Sequence, residues 1–589
     1  MSAWSALRAV IVAFSGALVL TPVCAGDGTL SKEATQAPRL RRPVALALTG
    51  DGRWLYAANR TAGTISTVDT TVPSVVSEIQ VGKKLSDLVL SADGRQLLAC
   101  DEEVDALFVL ARQGAALHII QKIELGLKTP VSVTVNASAT RCYVARLWSH
   151  EVLVVDLSAK RPIKYIALPF APRRQLLAHE DKKLIVMDAF GGRLAVIDAE
   201  SDKLESVRAL PAHNIRGLAL GRDGKELLVA HQTLNGLAHT TFDDVHWGNL
   251  LTNNVRVLQM ARVLSPAADL LEGSRLHYLG DVGRAAGDPA RIVRTPGGTT
   301  MVALAGVGEV AIAQEASYIW QRVAVGRGPG AIVVGPKSDR AYVANEFSDS
   351  VSVVNLLKAK VIAEVPLGKE GELRARDRGE MLFHDARLAH DGWLSCHSCH
   401  TDGHTNGLLN DNLGDGSFGA PKRVLSLLGS GDTAPYAWLG SMPDLESQVR
   451  KSILTTMHGR TPFDQQVHDL AAFLRSLPPP PALASLAGHG QKNGAVEKGR
   501  MIFHDQGCAR CHTPPAYTSS KTYEVGLHDE VGNTHFNPPS LRGVSQGGPY
   551  FHDNRAITLE DVFTKYRHQL KGELSKSQQQ DLVSFLRSL

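Results

Sequence analysis

The chain has little excess of charge of either sign. Its 63 Lys and Arg against 59 Asp and Glu leave a formal net charge of +4 on 589 residues. That balance gives no electrostatic footprint for a nucleic-acid surface. Long apolar runs are also scarce. The run 9–20 follows a single charge, Arg8, and is too short for a stable membrane span. Small residues around Cys24 and Ala25 offer a cleavage point, so 1–25 reads as a secretory signal, with an uncleaved anchor as the alternative. Lipid modification of Cys24 is disfavoured by the bulk of Val23. Cysteine is rare, with seven in all. The length predicts several domains.

Residues 43–367 repeat at a period of a propeller or solenoid. Seven apolar first strands are predicted, at 43–47, 85–90, 130–135, 172–177, 215–220, 290–293 and 329–334. Turns such as Asp51-Gly52 and Asp93-Gly94 come next, supplying the positive φ of a tight hairpin. The expected architecture over 26–368 is an all-β, seven-bladed propeller. The segment Tyr342-Val343-Ala344-Asn345 resembles the YVTN family of seven-bladed propellers, which speaks to fold and not to function. Aligned repeats put Cys100 and Cys142 three positions apart on neighbouring blades, roughly 10 Å of strand rise and on opposite faces. They are expected to be free, buried thiols. Regular spacing breaks between 231 and 288, where His231, His239, His246 and His277 occur with Asp243, Asp244 and Trp247. This insertion reads as a blade elaboration with solvated histidines. The alternative is a loop that reaches a bound cofactor, a metal or a partner.

Four of the remaining cysteines fall in two copies of one pattern, Cys396-His397-Ser398-Cys399-His400 and Cys508-Ala509-Arg510-Cys511-His512. Two thiols at this spacing can form thioethers with one haem, and the next histidine can ligate its iron. Two covalently bound c-type haems are therefore expected, with His400 and His512 as iron ligands. Bacterial attachment of such haems occurs outside the cytoplasmic membrane, which agrees with a secretory signal and a periplasmic address. The flanks repeat too. Arg378-Gly379 through Phe383-His384-Asp385 recurs as Lys498-Gly499 through Phe503-His504-Asp505. Leu425 to Trp438 parallels Pro539 to His552, and 469–477 parallels 581–589 as an amphipathic closing helix. With a stiff linker over 478–481, two mainly α cytochrome c-type domains come after the propeller, at 369–481 and 482–589.

This duplicated pattern resembles the bacterial di-haem cytochrome c peroxidase and MauG superfamily. The resemblance implies a peroxidatic haem in the first module and an electron-transfer haem in the second. It implies that Trp438 lies between them as a relay, and that His458 stands where a peroxidase glutamate moves protons. Tyr566 then matches the sixth ligand of the second haem, with His568 as the alternative, and the first haem lacks a sixth ligand because Gly416 stands where a removable histidine would be. Calcium between the modules is a further implication, without assigned ligands. The implied activity is reduction of hydrogen peroxide with electrons from a redox protein, or oxidation of a protein substrate. The other reading is a non-enzymatic electron-transfer or sensing protein whose propeller binds a partner.

Overall fold

The computed structural model describes residues 38–589 apart from 127–128, 315–316, 318 and 487–492. The signal expected over 1–25 lies outside the described residues. No helix among the described residues is long and apolar enough to cross a membrane.

Residues 43–366 form seven four-stranded sheets, each built from four consecutive antiparallel strands. In the first blade the strands are Pro43–Leu48, Trp54–Asn59, Thr64–Asp69 and Ser74–Gln80. Its first hairpin turns at Gly52, φ 74°, while Asp51 caps the Arg53 amide at 3.0 Å. Second strands are apolar on both faces because each sheet is packed on both sides. Tyr56 and Ala58 join a cluster with the second blade, and Leu55 and Ala57 join one with the seventh. The ring closes by this packing with no strand exchanged. Asp349 of the seventh blade reinforces it by accepting the amides of Arg41 and Arg42 at 2.9 and 2.7 Å.

Cys100 and Cys142 are free and fully buried. The reason differs from the expected one. They do point to opposite faces of their own sheets, but opposite faces of adjacent blades meet in a propeller. Both therefore sit in the single cluster between blades two and three.

The stretch 231–288 is largely blade. It contains strands Leu251–Gln259 and Arg275–Tyr278 of the fifth sheet. The added material is a loop at 235–250 carrying a short helix, α1 (Phe242–His246), capped by Thr241 accepting from the Asp244 amide at 3.1 Å. Ala238, Val245 and Leu250 share one apolar core with Phe383, Trp393, Leu394 and Leu470 of the C-terminal region. The histidines are not simply solvated: His231 is fully buried and His239 pairs with Asp411 at 3.2 Å.

Beyond the propeller the chain is helix and loop. Helix α2 (Ala375–Phe383) crosses α3 (Asp464–Ser476), and α4 (Asn493–Asp505) crosses α5 (Lys576–Leu586) in the same manner. A glycine sits at each crossing. A Cβ on Gly379 would lie 1.9 Å from the Asp469 carbonyl oxygen, and one on Gly499 would lie 2.0 Å from that of Asp581. A pair of phenylalanines completes each contact, Phe383 with Phe473 at 5.2 Å and Phe503 with Phe585 at 5.3 Å between centroids. The duplication read from the sequence is thus a duplication of packing. The proline linker runs between the two units, with Pro479 against Gly429 and Pro480 against Gly543.

Candidate functional site

One continuous cavity of ≈ 510 Å³ lies between the two helical units. Its wall includes both triads, Cys396, Cys399 and His400 from the first unit and Cys508, Cys511 and His512 from the second. The imidazoles are oriented alike. His400 donates from Nδ1 to the Leu425 carbonyl at 2.8 Å, and His512 from Nδ1 to that of Tyr517 at 3.1 Å. Both bonds fix the Nδ1–H tautomer and leave Nε2 as a lone-pair donor. Burial holds His400 neutral by lowering its pKa to about 4, and lowers that of His512 as well.

The thiols argue against a thiol–disulfide centre. Burial pushes Cys396 and Cys399 up to about 12 and Cys508 to about 11, whereas a reactive C-x-x-C needs a lowered pKa. Protonated, inward-facing thiols beside a neutral imidazole suit covalent haem attachment. Arg423 fits the same group. It is buried in the cavity wall, its pKa is lowered to about 10 by burial, and its Nε has no partner. A haem propionate would satisfy it.

Trp438 lines the same cavity as both triads. Its Nε1 donates to the Arg423 carbonyl at 2.8 Å, and its ring sits 6.3 Å from His552, which stacks on Phe536 at 4.5 Å. Gln448 is a wall residue that sequence reasoning missed. Its Nε2 donates to Ser452 Oγ at 3.0 Å, while its buried Oε1 faces no partner in the cavity wall. Nothing in a glutamine on an amphipathic helix announces this.

Two expected site residues are displaced. His458 is not in the cavity wall. A π-helical turn at Ser452–Thr456 adds a residue to the helix register. Met457 consequently takes the wall, and His458, at φ 48°, turns outward to donate from Nε2 to the Thr240 carbonyl of the propeller loop at 2.9 Å. Tyr566 is also outside the wall. Its hydroxyl donates to the Arg555 carbonyl at 2.7 Å. The helix Leu559–Thr564 has ended before it, and Arg567 at φ 46° turns the chain, so His568 faces the cavity instead. Burial and the nearby His512 lower His568 to about 4. His404 also lines the cavity, but its nitrogens are engaged, Nδ1 2.9 Å from Ser426 Oγ and Nε2 3.0 Å from the Gln546 carbonyl, with its ring against Trp148 and Phe190. Between the units, Lys422 of the first pairs with Asp529 of the second at 2.8 Å.

The propeller grips the first triad. Asp288 accepts from Ser395 Oγ at 2.5 Å and Ser398 Oγ at 2.7 Å. His213 donates to the Ser398 carbonyl at 3.1 Å, and Asn253 to that of Trp393 at 2.9 Å. Asp402, just beyond His400, pairs with Arg216 at 2.8 Å and Arg173 at 3.1 Å. Burial opposes its ionisation, but the two guanidiniums and His397 hold its carboxyl well below the usual range. Residues 397 and 398, the variable positions of the motif, are thus its anchor in the propeller.

Residues 375–478 match the family model of the di-haem cytochrome c peroxidases. Cytochrome c551 peroxidase of Nitrosomonas europaea is 28% identical over 262 residues, covering 36% of this chain and 78% of that protein. Methylamine utilization protein MauG of Methylorubrum extorquens is 27% identical over 274 residues, covering 36% and 76%. Hydrazine synthase subunit gamma of Kuenenia stuttgartiensis is 28% identical over 278 residues, with the same two coverages. Over residues 375–478 the chain thus resembles the di-haem cytochrome c peroxidases, and that region is joined to a seven-bladed β-propeller and shares its cavity with a second attachment triad.

Proposed function

We propose that the protein is a periplasmic oxidoreductase that uses hydrogen peroxide at the first haem and draws electrons through the second. The observation that supports this reading is a single cavity whose wall holds two Cys-Cys-His triads together with Trp438. Cys396, Cys399 and His400 would hold the first haem, and Cys508, Cys511 and His512 the second; bound there, the haems supply the redox chemistry. His568 would be the second protein ligand of the second haem, replacing Tyr566 in that role. In the first half of the cavity His404 is engaged with Ser426 and Gln546, which favours an open position where peroxide can enter.

The chain's own contribution is orientation and proton placement. The Leu425 and Tyr517 carbonyls fix the two proximal rings. Arg423 accepts from the Trp438 indole through its carbonyl and offers a cation to the space between the triads. Gln448, with an unpaired oxygen in the wall, can accept a hydrogen bond from peroxide. The reductant is a redox protein or an oxidisable side chain of a protein substrate.

The test is the optical and EPR spectrum of the holoprotein before and after one equivalent of hydrogen peroxide. A high-spin ferric signal that peroxide abolishes is expected. Low-spin signals alone, unchanged by peroxide in the oxidised and half-reduced forms, would leave the electron-transfer or sensing reading.

A further inference from the structure

Outside the cavity wall, at the seam between the propeller loop and the first helical unit, three ligand-type side chains converge. His246, the last residue of α1, places Nδ1 3.0 Å from His390 Nε2 and 2.9 Å from Asp391 Oδ2. His390 Nε2 and Asp391 Oδ2 are 3.4 Å apart. Tetrahedral zinc, with bonds of about 2.0–2.1 Å, sets its ligand atoms about 3.3 Å apart. The three observed edges, 3.0, 2.9 and 3.4 Å, come within about 0.4 Å of such a face.

Proton counting favours a metal over a hydrogen-bonded cluster. Both imidazole nitrogens face one carboxylate oxygen and each other. If both carry protons, two N–H groups oppose at 3.0 Å. If only His246 carries a proton, that one N–H is shared between Asp391 and His390, and the bare His390 nitrogen faces Asp391 Oδ2 at 3.4 Å. A cation removes both conflicts, because all three atoms become lone-pair donors.

The frame is built to hold this arrangement. The Trp393 indole donates to the His246 carbonyl at 3.2 Å. The His390 amide donates to the Met457 carbonyl at 2.9 Å, and the Asp391 carbonyl accepts from the Ala285 amide at 3.1 Å. Asp391 is held at φ 57°, a conformation a non-glycine residue keeps only when its surroundings impose it. The Gly283 amide donates to Asp391 Oδ2 at 3.2 Å, orienting the carboxylate. Phe242 stacks on His246 at 5.6 Å and lies 4.7 Å from His390, forming an apolar wall on one side. The two histidines stay about a quarter exposed, at 28% each, so an ion can enter and water can take the fourth position.

We propose that His246, His390 and Asp391 form a divalent metal site of the zinc class, which clamps the propeller loop to the segment leading into Cys396. The site is independent of the haem cavity and of the activity proposed for it.

The experiment uses the full-length holoprotein, stripped with chelator, titrated with zinc chloride and assayed for retained zinc by elemental analysis. His246→Gln and Asp391→Asn are run in parallel, with the haem absorption spectrum as the folding control. One equivalent of zinc in the wild type is expected, with affinity at least about 10–100-fold weaker in each variant. Zinc-edge absorption of the loaded wild type should show nitrogen and oxygen neighbours at about 2.0–2.1 Å, and anomalous scattering should place the ion among the three side chains. Equal zinc retention in wild type and variants overturns the proposal. So does an anomalous peak elsewhere, which needs no variant to fold.

Discussion

Asp288→Asn should loosen the first attachment loop by an amount that depends on pH. Asp288 is 4% exposed and belongs to the propeller, yet it accepts hydrogen bonds from two residues of the loop. Burial raises its pKa, but His397, Ser395 and Ser398 outweigh burial and bring it from 3.8 to about 2. A depressed carboxylate stabilises the folded state above its unfolded pKa and loses that contribution as pH falls through the folded value. The difference between the two values corresponds to a contribution on the order of 2 kcal/mol at pH 7, falling to about half at pH 3. Asn keeps the size and one acceptor oxygen but cannot ionise. Urea unfolding of the holoprotein, followed by tryptophan fluorescence as haem quenching is released, should show the variant weaker by about 2–3 kcal/mol at pH 7 and by about half that at pH 3. Equal deficits at both pH values would refute the electrostatic account. A deficit below about 0.5 kcal/mol at pH 7 would show that the loop does not depend on this contact.

The packing and the cavity set further expected outcomes. Gly379→Ala and Gly499→Ala each drive a methyl into a carbonyl of the crossing helix, so each should cost about 1–3 kcal/mol or more by thermal melting. His568→Ala should change the low-spin spectrum of the second haem, and Tyr566→Phe should leave it unchanged; the reverse pattern would return the ligand role to the tyrosine. His458→Gln should leave peroxide consumption within about twofold of wild type, since the ring lies outside the cavity and contacts the propeller loop. A loss of about 10²-fold or more would restore its acid–base role.

The blades were legible because every strand carries its own periodic apolar signal and every hairpin its own turn residues. The paired units were legible because Gly379 and Gly499 recur in the same local frame, and each is needed where two backbones touch. Long-range polar contacts were not. Asp288, Arg216 and Asn253 look like ordinary blade residues until the ring brings them to the loop around Ser398. Spacing also failed where helix geometry changes. The position of His458 came from the resemblance alone, and after the π turn at Ser452–Thr456 it is Met457 that lines the cavity. The early end of the helix at Thr564 likewise puts His568, and not Tyr566, in the cavity wall. The cysteine pair shows a subtler limit: the side-chain direction was right, but the ring geometry that makes opposite faces neighbours is not local information.

The burial of the first motif imposes an order on how the protein is made. Ser398 is fully covered and His397 is 6% exposed once the propeller is in place, whereas Arg510 in the second motif remains exposed. On the proposed haem reading, an enzyme that forms thioether bonds must reach the loop at 396–400 before the propeller closes over it. The second motif carries no such deadline. Docking of the propeller would then act as a checkpoint in maturation, sealing a haem already attached or trapping a first unit that never received one.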